Sequence, residues 1–358
     1  MKNMNRREPA SVDAAQLRKL VTEIPKTEIH LHLEGLASVE TIWQLMNRHK
    51  ILLEEIPTKE VLRKRFQVGN FDEFIDLFIN VIQNCFTTEE DFEYLIDDAR
   101  DYLKRNGIVY TEMHFAPSKF LINGLSYKTL VEKLDSGARR LKDTEGIELR
   151  FLIDVSRTYG VENAQKNLEL VAAHPVPSVI GIGLGGAERQ GPARDYRAVF
   201  QQAIAKGFRV VAHAGEVIGP ESIWDSVRLL KASRIGHGIS AIQDTELMDY
   251  LAGNRIALEI CPTSNLFTRH YVQRIEDHPI RAFYDRGMLV TVNTDDPSVF
   301  GVELIEEYMN LFTNGIFSAA EILALATNNI AATFLPESRK QELVAQTNEL
   351  ALQGGLVS

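Results

Sequence analysis

Residues 27–35 read Thr-Glu-Ile-His-Leu-His-Leu-Glu-Gly. Apolar and polar residues alternate and the run stops at a glycine, the pattern of a short strand. In a strand, residues i and i+2 face the same side, so His30 and His32 stand together. Glu34 and Gly35 follow at once, which sets the pair at the strand's C-terminal end. Two imidazoles so placed suit a metal-chelating pair. They equally suit a strand that simply carries two polar residues on one face.

Seven further apolar runs follow: Ile108–Phe115, Leu149–Val155, Val179–Leu184, Phe208–His213, Arg234–His237, Ile256–Ile260 and Leu289–Asn293. Amphipathic stretches such as Leu130–Leu141, Ala164–Ala172, Tyr196–Ala205, Ser222–Leu230 and Thr245–Leu251 separate most of them. Strand alternating with helix argues for a parallel sheet. Eight repeats predict an α/β fold, a (β/α)8 TIM barrel, whose active sites gather at the C-terminal strand ends. Two additions are expected. One is a helical lid inserted after the first strand, over about residues 38–106, with strong helices at Phe71–Phe86 and Glu89–Asn106. The other is a set of C-terminal helices, through Ala319–Phe334 and Ser338–Leu350. Residues 1–358 then make a single domain, with residues 1–22 a polar, loosely ordered arm.

The 358 residues include 49 acidic and 39 basic side chains, a net charge of −10. A chain this long buries roughly 75% of its unfolded surface and needs no covalent staples. Its acidity argues against nucleic acid or an anionic membrane as partner, because phosphate binding calls for a basic surface. No apolar run approaches the roughly 18 residues of a membrane span. The N-terminal MKNMNRREPASVDAAQ has no apolar run behind its charges, so it does not read as a secretory signal. Two cysteines, Cys85 and Cys261, build neither a disulfide framework nor a Cys-rich zinc site. A cytoplasmic enzyme is the expectation.

Three more strand ends carry reactive residues. Val210-Val211-Ala212-His213-Ala214-Gly215-Glu216 ends an apolar run in His213, with Glu216 one turn beyond. A helix-capping glutamate is the competing reading for Glu216. Arg234-Ile235-Gly236-His237-Gly238 sets His237 between two glycines, as a loop histidine would also be. Val290-Thr291-Val292-Asn293-Thr294-Asp295-Asp296-Pro297 ends in adjacent carboxylates, costly at a buried strand end without a cation or donors. A turn before the next helix is the alternative for either aspartate. Taken jointly, three histidines and a carboxylate at one barrel mouth suit a single divalent metal, zinc first, with an open position for water. Glu216 and His237 remain for proton handling.

In this order, H-x-H-L-E-G, H-A-G-E, I-G-H-G, C-P-T-S-N and N-T-D-D-P resemble the adenosine deaminase family of metal-dependent barrel amidohydrolases, from about Thr27 to Phe300. The resemblance implies one zinc ion per subunit on His30, His32, His213 and Asp295. It implies that Glu216 protonates N1 of a purine and that His237, helped by Asp295, orients and deprotonates the attacking water. Asp296 would meet N7 and the Gly186 amide N3. The base-editing zinc deaminases, with H-x-E and P-C-x-x-C, are a different chemistry, and neither pattern occurs here.

Two departures bear on substrate. Adenosine deaminases usually have Asp, meeting the ribose 5′-hydroxyl, where this chain has Glu34. They usually read D-L-A-G-D-E where it reads Gly183-Leu184-Gly185-Gly186-Ala187-Glu188. That glycine-rich form is similar to relatives acting on 6-amino-6-deoxyfutalosine, a menaquinone-pathway nucleoside with a carboxyphenyl ketone in place of the 5′-hydroxyl. The expected partner is thus a small purine nucleoside, adenosine or a 5′-modified form, with room at Gly183, Gly185 and Ala187. Arg157 and Arg189 are candidate partners for a substrate carboxylate, or else solvated loop arginines. Adenine itself, or another barrel metallohydrolase substrate, is the alternative. Gly181-Ile182-Gly183-Leu184-Gly185-Gly186 also matches G-x-G-x-x-G, but no helix opens at once and no acid lies in Ala203–Phe208, so a dinucleotide fingerprint is disfavoured.

Overall fold

The computed structural model describes residues 13–268 and 270–354. Eight strands are laid down in chain order: β1 (Lys26–His32), β2 (Ile108–Phe115), β3 (Glu148–Asp154), β4 (Val179–Leu184), β5 (Arg209–Ala214), β6 (Arg234–His237), β7 (Ala257–Ile260) and β8 (Val290–Val292). Each runs parallel to the next. All eight expected strands are present, with ends within one residue of the sequence reading. Helices such as Tyr127–Glu145 and Gly160–Ala173 return the chain between strands. In the first, Leu130, Val131, Leu134, Ala138 and Leu141 recur at helical spacing and are buried.

The barrel closes where β8 meets β1, and the closure is unusual in its means. Beyond β8, Asp295 pairs in parallel with Leu31. The His32 amide donates to the Asp295 carbonyl at 2.9 Å, and the Asp295 amide to the His30 carbonyl at 3.2 Å. Lower down, side-chain amides replace the ladder. Asn329 accepts from the Val292 amide at 2.8 Å and donates to the carbonyls of Val292 at 2.7 Å and Thr27 at 3.2 Å. Asn293 accepts from the Ile29 amide at 3.1 Å. Buried Glu28 accepts from the Thr294 amide and hydroxyl at 2.8 and 2.7 Å.

Between β1 and β2 the chain forms helices Val39–His49, Lys59–Arg65, Phe71–Asp76 and Phe92–Arg105. The helix from Phe71 widens into a π-helical segment at Leu77–Ile82 before Gln83–Cys85. Such widening is frequent at functional sites, and here it lies over the barrel's C-terminal mouth. After β8 come Leu304–Thr313, Ala319–Ala332 and Glu337–Gln353. Among the described residues, no helix is long and apolar enough to cross a membrane.

One expectation needs correction. Residues 1–12 of the loosely ordered arm lie outside the described residues, but Ala14–Glu23 is a helix. Asp13 caps it, in a capping box with Gln16, and Leu17, Leu20 and Val21 form a buried stripe. Buried Lys26 caps its other end, with Nζ 2.5, 3.3 and 2.9 Å from the carbonyls of Val21, Thr22 and Ile24. The polar composition hid a three-residue apolar stripe at i, i+3, i+4.

The seam generates a stability prediction. Replacing Asn329 by Leu removes three hydrogen bonds and leaves buried backbone groups unpaired. The expected loss is about 2–5 kcal/mol, from about 1–3 kcal/mol per unsatisfied group. Urea unfolding checks it, and a loss under about 1 kcal/mol would mean the ladder holds without the amide.

Candidate active site

His30 and His32 come from β1, His213 from β5, His237 from the end of β6 and Asp295 from the seam. The His32 and His213 Nε2 atoms are 3.2 Å apart. Asp295 Oδ1 is 3.4 Å from His30 Nε2 and 3.3 Å from His32 Nε2. An ion about 2.0–2.1 Å from four donors at tetrahedral angles sets those donors about 3.3 Å apart. The spacing therefore fits a divalent cation at the centre. His30 Nε2 is buried with no hydrogen-bond partner, which fits an atom reserved for a metal. Overlapping groups of possible donors here are His30, His213, His237 and Asp295; His32, Asp295 and Asp296; His30, His114 and Glu259; and His114, Asp154 and His213.

Backbone strain accompanies the placement. Asp295 has φ of 69° and His237 of 59°, left-handed values that cost a non-glycine residue about 1–3 kcal/mol each. At Asp295 this turn lets one residue close the barrel through its backbone and aim its carboxylate at both β1 histidines.

Behind the donors runs a buried relay. His30 Nδ1 lies 2.8 Å from Glu259 Oε2 on β7. Glu259 Oε1 accepts from Arg234 Nε at 2.5 Å, and Arg234 Nη2 is 2.7 Å from Glu112 Oε2 on β2. Donating Nδ1–H to Glu259 frees the Nε2 lone pair of His30 for a metal. Burial would lower His30, but Asp295 and Glu259 outweigh it and lift its pKa to about 9. The donor set thus carries negative charge that calls for a cation.

His237 is fixed by a second relay. The Ile280 amide donates to His278 Nδ1 at 3.1 Å, so neutral His278 carries its proton on Nε2. That proton goes to Asn265 Oδ1 at 3.2 Å, which orients the amide so that Nδ2 donates to His237 Nδ1 at 3.1 Å. Burial pushes His278 and His237 each down to about 3, so both are neutral. The proton of His237 is therefore on Nε2, which faces Glu216 at 3.6 Å and Asp295 at 3.9 Å. Burial, then the charge of Asp295, pushes the Glu216 carboxyl well above its usual range. A carboxyl shifted in this direction suits a proton donor.

A cavity opens over these groups. Phe74, Ile75, Phe78 and Ile79 of the insertion and Phe267 and Phe300 wall it, and Glu216, Asp296 and Gly186 line it with the donors. These flat apolar walls suit a heteroaromatic ring. The remaining expected residues fall elsewhere. Glu34 is fully buried, accepts from the Ala116 amide at 3.0 Å and Gln83 Nε2 at 3.2 Å, and does not line the cavity. Arg157 is also buried, and its guanidinium donates to the carbonyls of Gly191 and His213, both at 2.5 Å. It braces the His213 backbone instead of facing a substrate carboxylate. Arg189 is exposed and lines a neighbouring surface pocket with Asp72 and Asp76. Nor do Gly183 and Gly185 leave room for substrate, because the Asp154 carboxylate fills it.

Sequence reading missed Asp154, His114, Glu259, Asn265 and His278. His114 and Asp154 end apolar strand runs just as His213 does, so the signal was present. The partners of Glu259 and Asn265 lie on distant strands and helices, and no local pattern announces them.

The family model described as "Adenosine deaminase" matches residues 25–350. The aminodeoxyfutalosine deaminase of Streptomyces avermitilis is 33% identical over 333 residues, covering 92% of each chain. The adenosine deaminase of Shewanella loihica is 33% identical, covering 90% of this chain and 98% of its own. The crystal structure of an adenine deaminase from Arthrobacter aurescens superposes with TM-score 0.85 at 29% identity, covering 92% of this chain and 99% of that one.

Metal analysis tests the site. The purified protein is expected to hold one divalent ion per chain, and His213→Ala to lose it. Glu259→Gln, which weakens the support of His30, should lower metal affinity about 10–100-fold in chelator competition. Unchanged affinity in that variant would remove Glu259 from the metal's support.

Proposed function

We propose, from the premise that this chain belongs to the adenosine deaminase family, that it removes the 6-amino group of a purine nucleoside with the help of one zinc ion. At the coarser level it is a hydrolytic deaminase acting on amidine C–N bonds. The arrangement that supports the finer reading is Glu216, whose carboxyl burial pushes well up, beside a His/Asp donor cluster under a cavity walled by apolar and aromatic side chains. Three imidazole nitrogens and one carboxylate oxygen, with three of the donor pairs 3.2–3.4 Å apart, favour zinc among divalent ions.

The chemistry divides as follows. A bound zinc ion supplies hydroxide at neutral pH. His237 donates from Nε2 to the attacking oxygen and so orients it. This changes the base role that the resemblance implies, because the Ile280–His278–Asn265 relay leaves the proton on that nitrogen. Attack at C6 builds charge on N1, and Glu216 gives its proton there. The tetrahedral carbon then expels the amino group as ammonia, which takes the hydroxyl proton, and the 6-oxo purine remains. Asp296, whose Oδ1 is buried without a partner, is read as the group that meets N7. Burial, the largest cause, raises its carboxyl well above the usual range, so it can donate. Gly186 on the opposite wall is read as meeting N3. The two cysteines are free and buried, which fits the proposed cytoplasmic location.

The test is steady-state kinetics by the ultraviolet change from 6-amino- to 6-oxopurine, with adenosine, 5′-methylthioadenosine, 6-amino-6-deoxyfutalosine and adenine. At least one nucleoside is expected to turn over, and Glu216→Gln to lower kcat at least 10²-fold, the scale of general-acid catalysis, with metal content unchanged. A Glu216→Gln enzyme of near-normal kcat would remove the acid role.

A further inference from the structure

Asp154 stands at the end of β3 and lines the cavity, although it is only 3% exposed. Its Oδ1 is held by His114 Nδ1 of β2 at 2.9 Å. Its Oδ2 lies 3.8 Å from the Nδ1 edge of His32. The neighbouring strand is cut away to admit it. A Cβ at Gly183 would come within 2.4 Å of Oδ1, and one at Gly185 within 2.7 Å of Oδ2. At either distance the carboxylate would have to shift, so the glycine-rich run makes space for a carboxylate presented from β3. Nothing in the chemistry at C6 uses this group.

Its place is decided by the ring. N3 and N9 of a purine are both bonded to C4, so a substituent on N9 leaves the ring beside N3. With N3 at Gly186, the sugar leaves along the wall that Gly186 shares with Ser156 and Thr158, whose hydroxyls lie 2.5 and 3.0 Å from a Cβ built on Gly186. Asp154 lines the same cavity as these three residues, and its carboxylate is beside Gly185 in the same loop. Oδ2, which His114 does not hold, is then the oxygen left to accept from a hydroxyl at the sugar end. The other acid near this end, Glu34, is spent on Ala116 and Gln83. Among the described residues lining the cavity there is no Lys or Arg, and of its four acids Asp154 is the one given neither a proton to donate nor a metal to hold. An anionic group on the sugar would meet carboxylate and find no counter-charge.

We propose that Asp154, backed by His114 and admitted by Gly183 and Gly185, is the specificity-determining residue at the sugar end, selecting an uncharged, hydroxyl-bearing 6-aminopurine nucleoside and rejecting 5′-phosphate or 5′-carboxylate analogues. The inference rests on the proposed function for the orientation of the ring. It goes beyond that reading by assigning the charge class of the substrate to a residue on β3.

The experiment uses zinc-loaded protein. It measures kcat/KM for adenosine and for AMP, and the binding of adenine as substrate or competitive inhibitor. Wild type is expected to favour adenosine over AMP at least 100-fold. Asp154→Asn, which keeps the shape and removes the charge, should cut that ratio at least tenfold. It should also weaken adenosine at least tenfold more than adenine, which has no sugar to lose a contact. Gly185→Ala, which displaces Oδ2 from the other side, should reproduce the selective loss and guards against a folding defect in the first variant. The proposal is overturned if adenosine and adenine weaken in step with loss of zinc, the mark of a role through His32. It is overturned equally if AMP is the better wild-type substrate, or if the adenosine-to-AMP ratio does not move. A wild-type enzyme that deaminates none of the three overturns this proposal, and one that also leaves 5′-methylthioadenosine and 6-amino-6-deoxyfutalosine untouched refutes the proposed function itself.

Discussion

The structure turns on how the eighth strand returns to the first. β8 has only three paired residues, and what completes the cylinder is Asp295, bonded through its own amide and carbonyl to His30 and His32. A parallel barrel must close to leave no open edge, and this one closes with a residue in a left-handed conformation. The same backbone bonds that shut the barrel bring a carboxylate within 3.4 Å of two imidazoles. Barrel closure and metal-site assembly are one event here. The side chains of Asn329, Asn293 and Glu28 hold the seam below it, so a strained residue stays where the site needs it.

Around that seam, buried charge is arranged to be satisfied in one way. Glu112, Arg234 and Glu259 pass support from the barrel interior to His30. Such an ion network adds little net stability, since desolvation offsets the attraction, but it fixes geometry. On the far side His278 and Asn265 dictate the tautomer of His237 through neutral hydrogen bonds. Removing either relay leaves the nominal donors present but free to turn. The acidic surplus of the whole chain has a counterpart inside the cavity, where Asp154 lines the wall and no described Lys or Arg does.

The strands and the His/Asp cluster at their ends were legible in the sequence because each is local. An apolar run ending in His213 or Asp295 carries both the strand and the direction of its last side chain. The helix Ala14–Glu23 was missed because three apolar residues sit among charges, and its packing partner Leu304–Thr313 lies far along the chain. Arg157 and Glu34, expected beside the substrate, are instead engaged by buried backbone groups. Residue type does not say which way a loop side chain turns, and each found buried backbone partners first. The glycines of residues 183–185 were read as open space, whereas an acid from the next strand occupies it. Sequence reports an absent side chain but not what moves into its place.

The most direct measurement is the anomalous-scattering position of zinc in crystals of the loaded protein. The account expects one peak about 2.0–2.2 Å from His30, His32 and His213 nitrogens and an Asp295 oxygen, with the Asp295 backbone still paired to His30 and His32. A principal peak among His114, Asp154 and His213, or a metal bound with Asp295 turned away and the seam open, would contradict it.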